Sequence, residues 1–168
     1  MSRFLRVIAL ASLLGGVVLA ATSGAYGQTT QNAKEPALQG FVGDIEELAE
    51  KNSDFRRVLY TGKKLQLVVM TLKPGEEIGE EVHADGDQFF LLEEGEGEVL
   101  IDGKRSRIKA GDALLIPAGA RHNIVNTGKE PLHIYTVYAP PEHRDRTVQA
   151  TKADAEKSPQ LFDGKTTE

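Results

Sequence analysis

From Leu65 to Pro141 the sequence is a succession of short runs cut by Gly- and Pro-marked turns, about one every 8–12 residues. No segment between consecutive runs is long enough for a helical crossover, which argues against a parallel α/β sheet. The pattern points to an all-β sandwich or barrel. The 17 glycines agree, since a turn-dense fold needs residues free to adopt positive φ. Leu65, Leu67, Val69 and Thr71 alternate with Gln66, Val68, Met70 and Leu72. That run is apolar on both faces, so it reads as a buried strand. Further strands are predicted at 88–92, 99–101, 105–108, 113–116, 122–125 and 132–138. Asp102-Gly103 marks a hairpin, and Pro140-Pro141 ends the sheet. Ahead of the strands, Asp44 with Glu47 three residues on reads as a capping box. It starts a short helix ending near Asn52.

The two ends read differently. Arg3 and Arg6 precede an uncharged apolar run from Val7 to Ala21, and small residues follow through Gly27. Residues 1–27 have the layout of a secretory signal peptide, and the run is short for a membrane span. The mature protein is therefore expected in the periplasm or outside the cell, with no membrane span after cleavage. Residues 28–43 read as a flexible arm, 44–141 as the barrel domain and 142–168 as a charged tail. The 168-residue chain has 20 Lys+Arg against 25 Asp+Glu, a net charge of −5, and no cysteine. No basic patch suggests a nucleic-acid partner. The missing thiols exclude disulfides, Cys-ligated zinc, iron–sulfur clusters and thiol catalysis.

Two segments carry the chemistry. Glu81 and His83 stand two apart, on one face of an expected strand. A turn through Gly86 returns Gln88 beside them, and His122 opens a later strand after Pro117-Ala118-Gly119. In a closed barrel these four could converge. Two imidazoles, a carboxylate and an amide oxygen suit a divalent first-row metal.

The same segments resemble the two motifs of the cupin superfamily. In the first, Gly75 is followed by five residues, Glu81-Val82-His83, four residues, Gln88, six residues and Gly95. In the second, Gly111, Pro117, Gly119, His122 and Asn126 stand at every fixed position. The resemblance spans residues 65–139. It implies a jelly-roll barrel (double-stranded β-helix) of the small single-domain type often labelled mannose-6-phosphate-isomerase-like. It also implies that Glu81, His83, Gln88 and His122 are the metal ligands. The sequence departs from the pattern at two of them. Glu81 occupies the first His position, and Gln88 occupies the Glu position. An alternative pairs His83 with Asp85, but it breaks the spacing from Gly75. Another alternative is a metal-free barrel whose polar groups satisfy one another.

The metal is expected to be Mn, Fe, Ni or Zn, since no thiol or nearby ligand Met favours Cu(I). Glu81 and Gln88 are the candidates for assisting proton movement. The readings that follow are a metal-dependent oxygenase or isomerase acting on a small oxygenated molecule, a non-catalytic binder of metal or small ligand, and a structural cupin working through dimerisation. A small-molecule ligand and a homodimer are the expected partners. His133 reads as a half-exposed strand residue, His143 as a surface residue near the barrel mouth, and Arg56-Arg57 as a solvated edge, with the alternative that one arginine near the mouth meets an anionic substrate.

Overall fold

Nine strands and two short helices make up the computed structural model, which describes residues 40–167. Residues 1–27, read as a signal peptide, and residues 28–39 of the arm lie outside the described residues. The order is α1 (Ile45–Glu50), β1 (Arg56–Thr61), β2 (Gln66–Leu72), β3 (Asp87–Glu94), β4 (Glu96–Ile101), β5 (Lys104–Lys109), β6 (Ala113–Ile116), β7 (His122–Val125), β8 (Leu132–Ala139), β9 (Val148–Gln149) and α2 (Lys152–Lys157). All pairings among these strands are antiparallel.

One sheet runs β6-β3-β8-β2-β1-β9 and the other β5-β4-β7. The inward residues of both sheets form one core. Val68, Met70 and Leu72 of β2 meet Phe90 and Leu92 of β3, Ile134 of β8, Val99 of β4 and Ile124 of β7. The period-two alternation does this work, since every second residue of β3 and β8 turns inward. Removing the ring of Phe90, which is fully buried, would cost about 3–5 kcal/mol. The two sheets face each other without closing into one hydrogen-bonded barrel, so the expected closed barrel becomes an open jelly roll. The three-stranded sheet has few inter-sheet ladders to complete a ring, and only isolated bridges link the 77–81 arm to β7.

The motif residues outside the site have structural tasks. Gly119, at φ +81°, makes a turn an L-residue would resist. Its N–H donates to the His83 carbonyl at 2.8 Å. Buried Asn126 donates to the carbonyls of Leu72 and Glu130, both at 2.8 Å, and accepts from the Gly128 N–H at 2.9 Å. It ties the β7–β8 connection to the end of β2.

Three parts of the sequence behave differently from expectation. Arg56, read as a solvated edge, is buried on β1, a strand the two adjacent arginines disguised. His133 is also buried. Its Nδ1 meets the Ala49 carbonyl at 2.9 Å and pins the end of α1 to the sheet. The 142–168 tail folds back over the domain. β9 pairs with β1, His143 bridges to Leu161, and Ala155 of α2 packs on the core. Among the described residues, no helix is long and apolar enough to cross a membrane.

Candidate metal centre

Three elements converge at one end of the core. Gln88 lies on β3 between Ile116 of β6 and Tyr138 of β8. His122 opens β7. Glu81 and His83 sit on the arm entering β3. Glu81 exchanges backbone hydrogen bonds with His122, at 2.9 and 3.0 Å. The arm is an irregular segment with isolated bridges rather than the expected strand, yet its pairing still sets Glu81 and His83 toward one point.

Glu81, His83 and His122 each offer one ligand atom, and these atoms lie within 4.8 Å of one another. His83 Nε2 is 3.5 Å from Glu81 Oε2, and His122 Nε2 is 4.0 Å from the same oxygen. His122 and Gln88 are buried, whereas Glu81 and His83 border a small cavity. Asp85 is exposed and outside this group, which removes the His83–Asp85 alternative.

The surroundings of His122 can accommodate a cation. Its Nδ1 lies 3.1 Å from the Ala120 carbonyl, and its Nε2 lies 3.0 Å from Gln88 Oε1. In the orientation shown, Gln88 Nε2 donates to the Thr136 hydroxyl at 3.1 Å, a group that can equally donate to an amide oxygen. The ring then faces two oxygen acceptors. A neutral imidazole has one N–H to give. With that proton on Nδ1, the lone pairs of Nε2 and Gln88 Oε1 oppose each other. A cation beside them relieves this, because both atoms are then ligands rather than rivals. The residues present thus fit a divalent ion held by Glu81, His83 and His122, with Gln88 Oε1 in reach of the same point.

His83 has a second carboxylate behind it. Its Nδ1 is 3.6 Å from Glu142 Oε2. Glu142, and after it Glu81, holds the imidazolium up to about 9. The reciprocal pairing lowers Glu142 below the usual carboxylate range. A carboxylate on the far nitrogen also fixes which nitrogen faces the metal position. Arg56 completes the ring of charge. Its Nη2 is 3.4 Å from Glu81 Oε1, and its Nη1 donates to Gln149 Oε1 at 3.1 Å. Tyr138 packs edge-on against both His83 and His143, and burial, then Glu81, pushes its phenol up. His143, expected at the surface, is buried, and desolvation, then Arg56, lowers its imidazole to about 3.

Residues 68–138 match the family described as Cupin domain. The uncharacterized protein YrkC of Bacillus subtilis is 41% identical over 128 residues, 73% of this chain and 69% of its own length. The chain belongs to the cupin family. The crystal structure of BH2720 from Bacillus halodurans superposes with a TM-score of 0.71 at 41% identity, covering 73% of this chain and 97% of that one. The polyketide synthase CurC of Streptomyces cyaneus is 33% identical over 95 residues, 53% of this chain and 60% of its own length.

In this cupin the sequence motifs locate Glu81, His83, Gln88 and His122, and the structure brings all four together. Arg56, Glu142 and His143 also border the centre; the sequence set His143 near the mouth but at the surface, read Arg56 first as a solvated edge, and gave no sign of Glu142. For Arg56, the alternation of Arg56, Val58 and Tyr60 was the available signal. Glu142 and His143 follow Pro140-Pro141, where no periodicity survives to assign a face.

Proposed function

We propose that this protein is an exported single-domain cupin. In this reading Glu81 Oε2, His83 Nε2 and His122 Nε2 hold a divalent metal, Gln88 Oε1 completes the set, and a small oxygenated molecule binds beside it. The observation that carries the reading is the convergence of Glu81, His83 and His122, whose ligand atoms lie within 4.8 Å of one another, with the Gln88 amide 3.0 Å from His122 Nε2. A divalent ion bound there supplies a Lewis acid for a carbonyl, enol or carboxylate oxygen.

The chain's own residues supply the rest. Thr136 and Ala120 lock Gln88 and His122 in place. Glu142 orients His83. Glu81 Oε1, turned toward Arg56, is the carboxylate oxygen left to move a proton. Gln88 is an amide buried behind His122, so it suits positioning better than the proton transfer expected of it. The cavity is about 280 Å³, at the lower edge of the roughly 300–1,000 Å³ usual for ligand pockets, which favours a small ligand. The residue 1–27 segment supports export, and the site would then fill outside the cytoplasm, where metal availability selects the ion.

The test is metal analysis of protein recovered from the periplasm, followed by oxygen uptake with diketones, flavonols and sugar acids. Bound metal with turnover supports an oxygenase. Bound metal without turnover favours the binding module. Protein that stays metal-free after exposure to Mn, Fe, Ni and Zn would sink the reading.

A further inference from the structure

Glu81 offers its two carboxylate oxygens to different neighbours. Oε2 meets the imidazoles, 3.5 Å from His83 Nε2 and 4.0 Å from His122 Nε2. Oε1 meets Arg56, whose Nη2 lies 3.4 Å from it. A carboxylate can bind an ion through one oxygen or through both. Here a cation of the protein holds one of the two.

Arg56 is itself held from behind. It stands opposite Gln149 in the β1–β9 ladder, so the two side chains share a face. Its Nη1 donates to Gln149 Oε1 at 3.1 Å, and Gln149 Nε2 donates to the Ser158 carbonyl at 3.0 Å. Both residues are buried, Arg56 at 7% exposure and Gln149 at 4%. Backbone bonds clamp the ladder on either side, from the Phe55 N–H to the Ala150 carbonyl at 3.2 Å and from the Val58 N–H to the Thr147 carbonyl at 2.8 Å. A guanidinium is a rigid planar fork. With Nη1 tied to Gln149, Nη2 stays aimed at Glu81. A line of contacts thus runs from Ser158, the C-cap of α2, through Gln149 and Arg56 to a ligand of the metal position.

The sign of the charge decides what this line does. Arg56 is a permanent cation beside the place where a second cation would sit. It competes with the ion for the charge of Glu81 and repels the ion. A neutral side chain there would let the metal bind more tightly. The partner behind His83 has the opposite sign. Glu142 Oε2 lies 3.6 Å from His83 Nδ1, and a carboxylate in that place makes an imidazole a better ligand.

We propose that Arg56 is a positioning residue for Glu81. Anchored by Gln149 of the C-terminal segment, it restricts Glu81 to metal binding through Oε2 alone. It thereby keeps open a coordination position that Oε1 would otherwise fill. This role rests on the metal reading above. An open position is what allows a bound ion to take water or a ligand. The 148–158 segment, remote in sequence from both motifs, therefore sets how open the centre is, at a cost in metal affinity.

The test is to count the water bound to Mn²⁺ in the full protein, by field-dependent water-proton relaxation, and to measure Mn²⁺ affinity by calorimetry. Two variants release Glu81 in different ways. R56Q removes the cation. Q149E keeps Arg56 paired but draws the guanidinium onto a second carboxylate. Each is expected to lose about one of the waters carried by Mn²⁺ in wild type. Each is also expected to bind Mn²⁺ about fivefold more tightly, the worth of a partly exposed ion pair. Damage to the fold would weaken the metal instead, so the direction separates positioning from structural support. Q149E decides the matter where R56Q folds poorly, because it leaves no buried charge unpaired. No Mn²⁺ uptake by wild type would overturn the metal reading and this role together. Mn²⁺ uptake by wild type with the same water count in the variants, or weaker binding by folded variants, would overturn this role alone.

Discussion

Thr136 makes no contact with the metal position, yet the centre depends on its hydroxyl. The residue is fully buried on β8 and accepts a 3.1 Å hydrogen bond from the Gln88 amide, whose Oε1 faces His122. Thr136→Val keeps the shape and removes the acceptor. One Gln88 N–H then loses its partner inside the core, although the Tyr138 hydroxyl still interacts with the amide. The cost is about 1–2 kcal/mol. For a domain of this size it lowers the melting temperature by roughly 3–10 °C. The larger effect falls on the metal. A freed amide can turn its NH₂ toward His122 Nε2 and occupy the lone pair an ion needs. Loss of such an outer contact weakens metal binding about 10- to 100-fold. Thr136→Ser keeps the hydroxyl, so it should lose some packing stability and retain metal affinity. The assay is Mn²⁺ titration by calorimetry, with thermal melts of the metal-free proteins. Wild-type metal affinity in Thr136→Val would refute the argument that Gln88 is oriented for the ion.

Other outcomes follow from the same geometry. His83→Ala and His122→Ala should each abolish metal uptake and leave a folded β protein by circular dichroism; full uptake in either would mean the ligand set is misassigned. Glu81→His, which restores the commoner cupin residue, should keep a metal but change any activity, and loss of all metal would make Glu81 a specific ligand. The metal-free protein should lose stability with rising pH. His83 is held up from 6.5 to about 9, first by Glu142 and then by Glu81. Its contribution is complete below pH 6.5 and fades as the pH rises through about 9. Melts of Glu142→Gln should show a shallower loss across that window, and an unchanged slope would show that Glu142 does not govern His83. Because a ligating His83 must be neutral, metal uptake near pH 7 should release about one proton, read from calorimetry in buffers of different ionisation enthalpy.

The sequence was most legible where chemistry and backbone geometry coincide. Gly119, Asn126 and the Asp102-Gly103 hairpin are dictated by local turn requirements, so their spacing located β4 to β7 and, with them, His122. Glu81 and His83 were found through their spacing from Gly75, although the arm that carries them is irregular and no period-two pattern places it. Arg56 was misread because a charged pair at the start of β1 looks solvated until the half-buried Glu81 carboxylate and Gln149 are seen to receive it. Glu142 and His143 were not legible, since their position depends on the 142–161 segment folding back across the open end of the jelly roll. That return is set by long-range contacts such as His143 with Leu161, which local sequence does not encode.

The most direct measurement is the nitrogen count at the metal. Pulsed EPR on Mn²⁺-loaded protein reports imidazole nitrogens coupled to the ion. Wild type is expected to bind about one ion per chain, coupled to the imidazoles of both His83 and His122, with one coupling lost in each His→Ala variant that retains weak binding at high Mn²⁺. Bound Mn²⁺ without any imidazole coupling, or no bound Mn²⁺, would contradict it.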